Sequence, residues 1–319
     1  MRHLTFLLGI LCSIAGAQAQ DYPNKPVRIV IPYAAGGSTD ILTRQISVRL
    51  SARLGQSVVV ENRAGANGII GTEVVAKSAA DGYTLLMMTN GQTISMGLYP
   101  KLPWDIEKDF APVVNVAAMP NVIVVHPSQP FNNLKELLDH VRAKPGSLSY
   151  SHAGVGSPQH IAGELFKLVT RADIVQIPYK GGGPAIADAV AGQVQVAVGG
   201  VPVVRQHIAS GRLRALAVTS VARSPLLAEV PTVAESGYAG FDAIFWIGLL
   251  APRGTPEAAV ARINTEVNAV LKDAEIASQF AVQGATPAGG TPAEFGAHIR
   301  KDVETSGRVI RDANIKADG

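Results

Sequence analysis

Cysteine is almost missing from this chain of 319 residues, which contains a single one, Cys12. One thiol cannot form an internal disulfide, and it cannot supply the thiolate cluster that a structural zinc or iron–sulfur site needs. Cys12 also lies in an N-terminal segment with the pattern of a removable leader. We therefore expect a mature chain without cysteine, which excludes disulfides and thiol catalysis.

Charged residues are sparse as well, because Asp, Glu, Lys and Arg make up 17% of the chain and the formal net charge is only +3. No stripe of Lys and Arg with interleaved aromatic residues is present, so we predict no nucleic-acid partner. Apolar residues are abundant at 47%, with 32 glycines and 20 prolines. This composition is typical of a compact α/β protein with many loops.

The first nineteen residues have the three parts of a secretory signal. Arg2 and His3 form a basic head, an apolar run follows from Leu4 to Ala15, and residues 17–19 (AQA) give a small-x-small cleavage pattern. The run is too short to span a bilayer, and no later stretch is long enough. We predict cleavage near Ala19, a mature chain from Gln20 and a periplasmic location.

Short β-branched runs then alternate with helical patterns, which predicts parallel strands linked by crossover helices. A first βαβαβ set ends near Met88, and an extended apolar passage around residues 113–125 leads to a second set. The strand at residues 213–219 is the natural return path. Two crossings predict two lobes, residues 20–119 with 221–319 and residues 120–220, with a cleft between them.

Three segments share one pattern, in which a strand runs into glycines and then into a helix. They are PYAAGGSTD (32–40), SHAGVGSPQH (151–160) and IPYKGGGP (177–184). Ser157 is placed to cap a helix, Pro158 to occupy its first position, and Pro184 to open the next helix. Helix starts carry free N–H groups that favour anions, and glycine lets a ligand approach the backbone. The same pattern is also common at turns between a strand and a helix that bind no ligand, but three copies indicate an anion site.

Enzyme signatures are missing from the sequence. It contains no G-x-S-x-G, no H-E-x-x-H and no phosphate-binding P-loop, and its seven histidines lack ligand spacing. We predict no cofactor and no metal site. The remaining enzyme alternative is a periplasmic hydrolase that pairs Ser157 with His160, which predicts ester turnover lost in Ser157→Ala.

Several ordered motifs resemble the Bug or TctC family, the extracytoplasmic solute receptors of tripartite tricarboxylate transporters. They are PYAAGGSTD, VVVENRAGANGIIGTEVVAKSAADGYTLL, SHAGVGSPQHIAGELF, IPYKGGGPAIADAVAGQVQ and LAVTSVARSPLLAEVPTVAESGY, and the resemblance covers nearly the whole mature chain. It implies a two-lobed type II periplasmic-binding-protein fold with two hinge crossings and no catalysis. It also implies a small carboxylate held between the lobes by amides, hydroxyls and waters.

The resemblance also implies a set of ligand-binding residues on the loops of both lobes and on the strand after the second crossing. In this sequence they are Tyr33, Ala35, Gly36, Gly37, Ser38, Thr89, Asn90, Thr93, Gly156, Ser157, His160, Tyr179, Gly182 and Trp246.

The expected partners are a small organic carboxylate and the permease subunits of the transporter, and we expect a monomer. A ligand-dependent sensor kinase is an alternative partner, since it would use the same closed surface. Di- and tricarboxylates and aromatic acids all stay open as ligands, and Tyr33, Tyr179 and Trp246 favour a planar acid.

Overall fold

A computed structural model describes residues 22–33, 35–179 and 181–317, so the predicted leader lies outside the described residues. The chain forms two α/β lobes around one long strand that belongs to both. No helix among the described residues is long and apolar enough to cross a membrane.

The first lobe is a mixed sheet covered by helices on both faces. Its strands run in the order β2-β1-β3-β9-β4, with β10 on the other side of β4. Its elements are β1 (Val27–Ile31), α1 (Ser38–Leu54), β2 (Val58–Asn62), α2 (Ile69–Ala76), β3 (Thr84–Thr89), α3 (Asn90–Leu98), the first part of β4 (Phe110–Val125), and later β9 (Ile244–Pro252), α8 (Glu257–Leu271), α9 (Ala274–Val282), β10 (Thr286–Gly289) and α10 (Pro292–Asp312).

The second lobe uses the far part of β4, which pairs with β7 and β8, while β5 pairs with β7 and β6. Its other elements are α4 (Leu134–Ala143), β5 (Ser149–His152), α5 (Pro158–Thr170), β6 (Val175–Pro178), α6 (Gly182–Val190), β7 (Val196–Gly200), α7 (Val201–Ala209) and β8 (Arg214–Val218). The two-lobed prediction is confirmed.

The first crossing is the single strand β4, which runs through Pro120 and contains the extended apolar passage predicted around residues 113–125. Within β4, Ala118 pairs with Trp246 of the first lobe, and Asn121 pairs with Gly200 of the second. Proline is tolerated here because Pro120 lies where β4 changes partners, since the pairing with β9 ends at Pro120 and the pairing with β7 begins at Asn121. The hinge therefore lies near Met119 to Asn121.

The return crossing lies later in the chain than the sequence indicates. Residues 221–243 belong to the predicted first lobe, yet Leu227 and Val230 pack in one core of the second lobe, and Val233 and Phe241 in the other. This segment has little regular structure, so no periodic pattern reveals which lobe it covers. The backbone re-enters the first lobe at β9.

The first lobe has one core on each face of its sheet. One face, against α1 and α8, buries Ile29 and Ile247, whereas the opposite face, against α2 and α10, buries Val30 and Trp246. Successive residues of a strand point to opposite faces, so neighbours in β9 belong to different surroundings. This alternation decides which side chains of β9 reach the cleft.

Candidate functional site

A cavity of about 170 Å³ lies between the lobes beside the hinge. Such a volume suits a small metabolite better than a drug-sized ligand, for which several hundred Å³ are usual. The lining residues come from both lobes and from the hinge itself: Ser38, Thr39, Met119, Pro120, Asn121, Gln159, Gly182, Ile186, Gly199, Gly200, Pro202, Val203 and Phe245.

Four helices begin at this cavity. Ser38 opens α1, Gln159 is in the first turn of α5, Gly182 opens α6 and Pro202 is in the first turn of α7. The first turn of a helix has N–H groups without intrahelical partners and a partial positive charge. Four such ends at one cavity favour an anionic group there.

Three of these helices have glycine in the N-cap position, where a polar side chain is usual. The N-caps of α1, α6 and α7 are Gly37, Gly181 and Gly200, and none of the three helices has a capping side-chain hydrogen bond. By contrast, Asn133 caps α4 and Thr291 caps α10, which do not line the cavity. Among the described residues, no capping side chain therefore competes with a ligand for the first N–H groups of these three helices.

The cavity offers neutral groups in place of charges. None of the described residues that line it is Asp, Glu, Lys, Arg or His. Asn121 is only 1% exposed, and its side-chain oxygen has no hydrogen-bond partner. Lys180, next to the third glycine loop, is outside the described residues. An anion in this cavity would be held by amides and hydroxyls.

Asp40 fixes the first glycine loop by hydrogen bonds. Its carboxylate accepts the Gly36 N–H at 3.0 Å, Arg44 Nε at 3.0 Å and Asn62 Nδ2 at 3.1 Å. Burial raises the pKa of Asp40, but these hydrogen bonds outweigh it and hold the pKa below its ordinary value. A Cβ added at Gly36 or Gly37 would meet nothing within 4 Å, so open space lies beside the loop.

Tyr33 is turned toward the start of α3 and does not line the cavity. Its hydroxyl lies 2.9 Å from Thr89 Oγ1 and accepts a hydrogen bond from Gln92 Nε2 at 3.1 Å. Thr89 and Gln92 form a capping box on α3. Burial raises the pKa of Tyr33, so the ring is neutral. These residues position the first loop from inside the lobe.

Ser157 and His160 form a local cap. Ser157 caps α5 by accepting the backbone N–H of His160 at 3.1 Å, as the sequence predicts, while His160 Nδ1 accepts the Gly156 N–H at 3.1 Å. The His160 ring is 2% exposed and stacks on His152 with centroids 4.2 Å apart. Ser157 is not hydrogen-bonded to the imidazole, so the nucleophile–base pair of a hydrolase is not formed among the described residues.

His160 gives the protein a specific acid sensitivity. Burial, the neighbouring His152 and Lys167 lower the pKa of His160 from 6.5 to about 3. Below pH 6.5 the unfolded chain binds a proton here that the folded chain does not bind, so stability falls as the pH falls from 6.5 toward 3. Between pH 7.5 and 5.0 we expect His160→Asn to lose about 2 kcal/mol less unfolding free energy than the native protein, because the slope of about 1.4 kcal/mol per pH unit applies only below pH 6.5. Urea unfolding at both pH values measures this, and parallel losses would contradict it.

The third glycine loop contributes Gly182 to the cavity, where an added Cβ would meet nothing within 4 Å. The helix begins at Gly182, two residues before the predicted start at Pro184. Proline is tolerated in the first turn because the N–H groups there have no intrahelical acceptor. Tyr179 does not line the cavity, since its hydroxyl donates to Asp188 Oδ2 at 2.7 Å. This tyrosine ties the loop to α6.

The other predicted residues lie on the far side of β9. Trp246 is fully buried, with its ring 5.6 Å from the Phe295 ring and 4.9 Å from the His298 ring. Asn90 borders a second cavity with Trp246, and Thr93 donates to the Asp302 carboxylate. The aromatic side chain at the cleft cavity is instead Phe245, one residue earlier.

Sequence reasoning missed five polar or glycine positions in the lining, which are Thr39, Asn121, Gln159, Gly199 and Gly200. The run VGGVP at residues 198–202 carried the signal, since a strand again meets two glycines and a first-turn proline. The sequence analysis did not include this run among the strand-to-glycine-to-helix segments.

Known proteins resemble this chain over nearly its whole length. The sequence profile of the tripartite tricarboxylate transporter family receptor, TctC, matches residues 42–315. Protein BugT of Bordetella pertussis is 39% identical over 322 residues, which cover 99% of each chain. A structure from R. palustris with adipate has 36% identity and a TM-score of 0.82, covering 93% of this chain and 99% of that one. MatC from Rhodopseudomonas palustris with bound malate has 30% identity and a TM-score of 0.77, covering 91% of this chain and 100% of that one.

Proposed function

Because the chain belongs to the TctC family of tripartite tricarboxylate transporter receptors, which are periplasmic solute receptors, we propose that it captures an organic dicarboxylate in the cavity between its lobes. One observation carries this proposal. The uncapped starts of α1, α6 and α7 meet the start of α5 at an uncharged cavity. Helix starts from both lobes suit a ligand with an anionic group at each end.

We propose an aliphatic ligand in place of the planar acid that the tyrosines and Trp246 suggested. Phe245 is the one aromatic residue in the described lining, whereas the Tyr33 and Tyr179 hydroxyls bond within their own lobes. Adipate and malate, the ligands named for two related structures, are aliphatic dicarboxylates. A ligand between these two in length fits a cavity of about 170 Å³.

In this proposal the amides of Ser38, Thr39, Gly182 and Gly200 hold the carboxylates, while Asn121 and Gln159 supply side-chain contacts. Gly156, Ser157 and His160 position α5, and Ala35, Gly36 and Gly37 shape the first loop. The lobes divide at Met119 to Asn121 and again near Ala243. The amides that hold the carboxylates come from helix starts of both lobes, so ligand binding would hold the two lobes together.

The remaining features of the proposal follow from the family. The leader would be removed in export, and the loaded receptor would deliver its ligand to permease subunits as a monomer, with no chemical change to the ligand. The Ser157 and His160 geometry supports binding without turnover.

Calorimetric titration of the ligand-stripped mature chain, Gln20 to Gly319, tests the proposal. We expect saturable binding of adipate, malate or a dicarboxylate of intermediate length, and no binding of the matching uncharged diamide. A specific ligand must also raise the melting temperature by mass action. Failure of every dicarboxylate to bind, or equal binding of the diamide, would contradict the proposal.

A further inference from the structure

A second cavity of about 330 Å³ lies behind the cleft, between α5, the segment from Ala239 to Ile244, β9 and α10. The two cavities share no lining residue. On β9, Phe245 lines the cleft cavity and Trp246 lines this second cavity. Alternation along β9 places these two side chains on opposite faces of the sheet. We call this second cavity the α5–α10 crevice.

Two carboxyl groups line the crevice, one inside and one at its mouth. Asp302 is half-buried on α10, and Thr93 donates to it, whereas Asp242 is exposed. Neither is in an ion pair within the described ranges 22–33, 35–179 and 181–317. Burial raises the pKa of Asp302 to about 6, the Thr93 and Trp246 side chains oppose this rise, and the charge of Asp242 adds to it. The charge of Lys301 acts on Asp242, whereas Asp302 has no cation as a partner among the described residues.

Three further polar atoms of the crevice residues also lack a hydrogen-bond partner of normal geometry. Asn90 is 6% exposed, and its Nδ2 donates to the Ile244 carbonyl at 3.0 Å, which leaves Oδ1 without a partner. His298 Nε2 is buried and unpaired as well, and burial lowers the pKa of this ring so that it is neutral. The indole N–H of Trp246 faces Asp302 but forms no hydrogen bond of normal geometry. Buried polar atoms without partners are unusual in proteins.

The opposite wall of the crevice is apolar. It is formed by Ile161, Leu165 and Val169 on α5, together with Phe241. Lys301 and Arg308 lie exposed on the α10 side, where solvent screens their charges. An occupant with a cationic N–H group and a hydrocarbon part would match the carboxyls, the Asn90 oxygen, the indole and the apolar wall together.

We propose that the α5–α10 crevice is a second binding site, which takes a small protonated alkylamine. The ammonium group donates to Asp302 and Asn90 Oδ1 beside the Trp246 ring, and the alkyl part packs on α5. The site is independent of the carboxylate cavity and selects the opposite charge. Because α5 belongs to the second lobe and α10 to the first, an amine here would contact both lobes.

Titration with n-butylammonium chloride at pH 7.5 tests this site, with n-butyrate as the probe of reversed charge. We expect saturable binding of the amine that weakens at least tenfold in Asp302→Asn. The control Asp312→Asn removes an exposed carboxylate at the end of the same helix and should bind the amine like the native protein. Leu165→Trp fills the crevice from α5 and should also abolish amine binding.

Each outcome decides the proposal. Folding of the variants is checked by their melting curves, and adipate or malate binding in the cleft is measured in the same samples. Absence of saturable amine binding to the native protein would overturn the second site. Amine affinities in Asp302→Asn and Leu165→Trp that equal the native affinity would also overturn it. Butyrate competing with the amine would also overturn it, since it would place both probes in the carboxylate cavity.

Discussion

Gly182→Asp should reduce dicarboxylate affinity at least about 100-fold while the protein stays folded. The new side chain has room, because an added Cβ meets nothing within 4 Å, and an acidic residue in the first turn is favourable for α6. Its carboxylate would stand in the cavity, where one charge repels another by about 4 kcal/mol at 4 Å and intermediate dielectric. Calorimetric titration measures the loss of affinity.

Gly182→Asn is the matched control, because it has nearly the same shape without the charge. We expect it to weaken binding about tenfold or less, from steric effects alone. Equal losses in the Asp and Asn variants would show that shape and not charge controls the site. Unchanged affinity in the Asp variant would place the ligand elsewhere.

Trp246→Ala should destabilise the protein by about 3–5 kcal/mol, the usual cost of truncating a buried aromatic side chain. Trp246 is fully buried against Phe295 and His298 on the face of β9 away from the cleft. Since it does not line the carboxylate cavity, dicarboxylate affinity measured well below the melting temperature should change little. Urea unfolding and titration measure the two effects separately.

Phe245→Ala gives the opposite pattern and serves as the control. Phe245 lines the cleft and is only partly buried, so its loss should weaken dicarboxylate binding and cost about 2 kcal/mol of stability or less. If Trp246→Ala does not fold, Trp246→Phe provides the same comparison with a smaller cavity. Loss of affinity in the Trp246 variants with unchanged affinity in Phe245→Ala would reverse the assignment of the two faces.

Much of the fold follows from local patterns in the sequence. The helix at α5 begins at Pro158 with Ser157 as its cap, as predicted, because this pair fixes a helix start by itself. The strand-to-glycine-to-helix segments likewise predict an anion site between two lobes. Three such starts line the cavity, through Ser38, Gln159 and Gly182. Local patterns therefore locate these helix starts, while the anion site itself stays a prediction.

Other features depend on contacts that no local pattern encodes. An all-apolar run such as IFWIGLLAP is buried on both faces, so its sequence does not show that Phe245 and not Trp246 faces the cleft. The sequence does not show what the hydroxyls of Tyr33 and Tyr179 bind. Only the fold shows that they form hydrogen bonds with Thr89 and Asp188. The segment before β9 packs on the second lobe through scattered residues, which hides the return crossing.

Amide NMR of glycine-labelled protein is the most direct test of a carboxylate held by helix starts. During titration with the dicarboxylate that binds, we predict that the Gly182 and Gly200 amide signals shift strongly, because these amides face the cavity. The signals of Gly211 and Gly254, which lie in turns away from it, should stay in place. Unmoved Gly182 and Gly200 signals at saturation would contradict the proposed site.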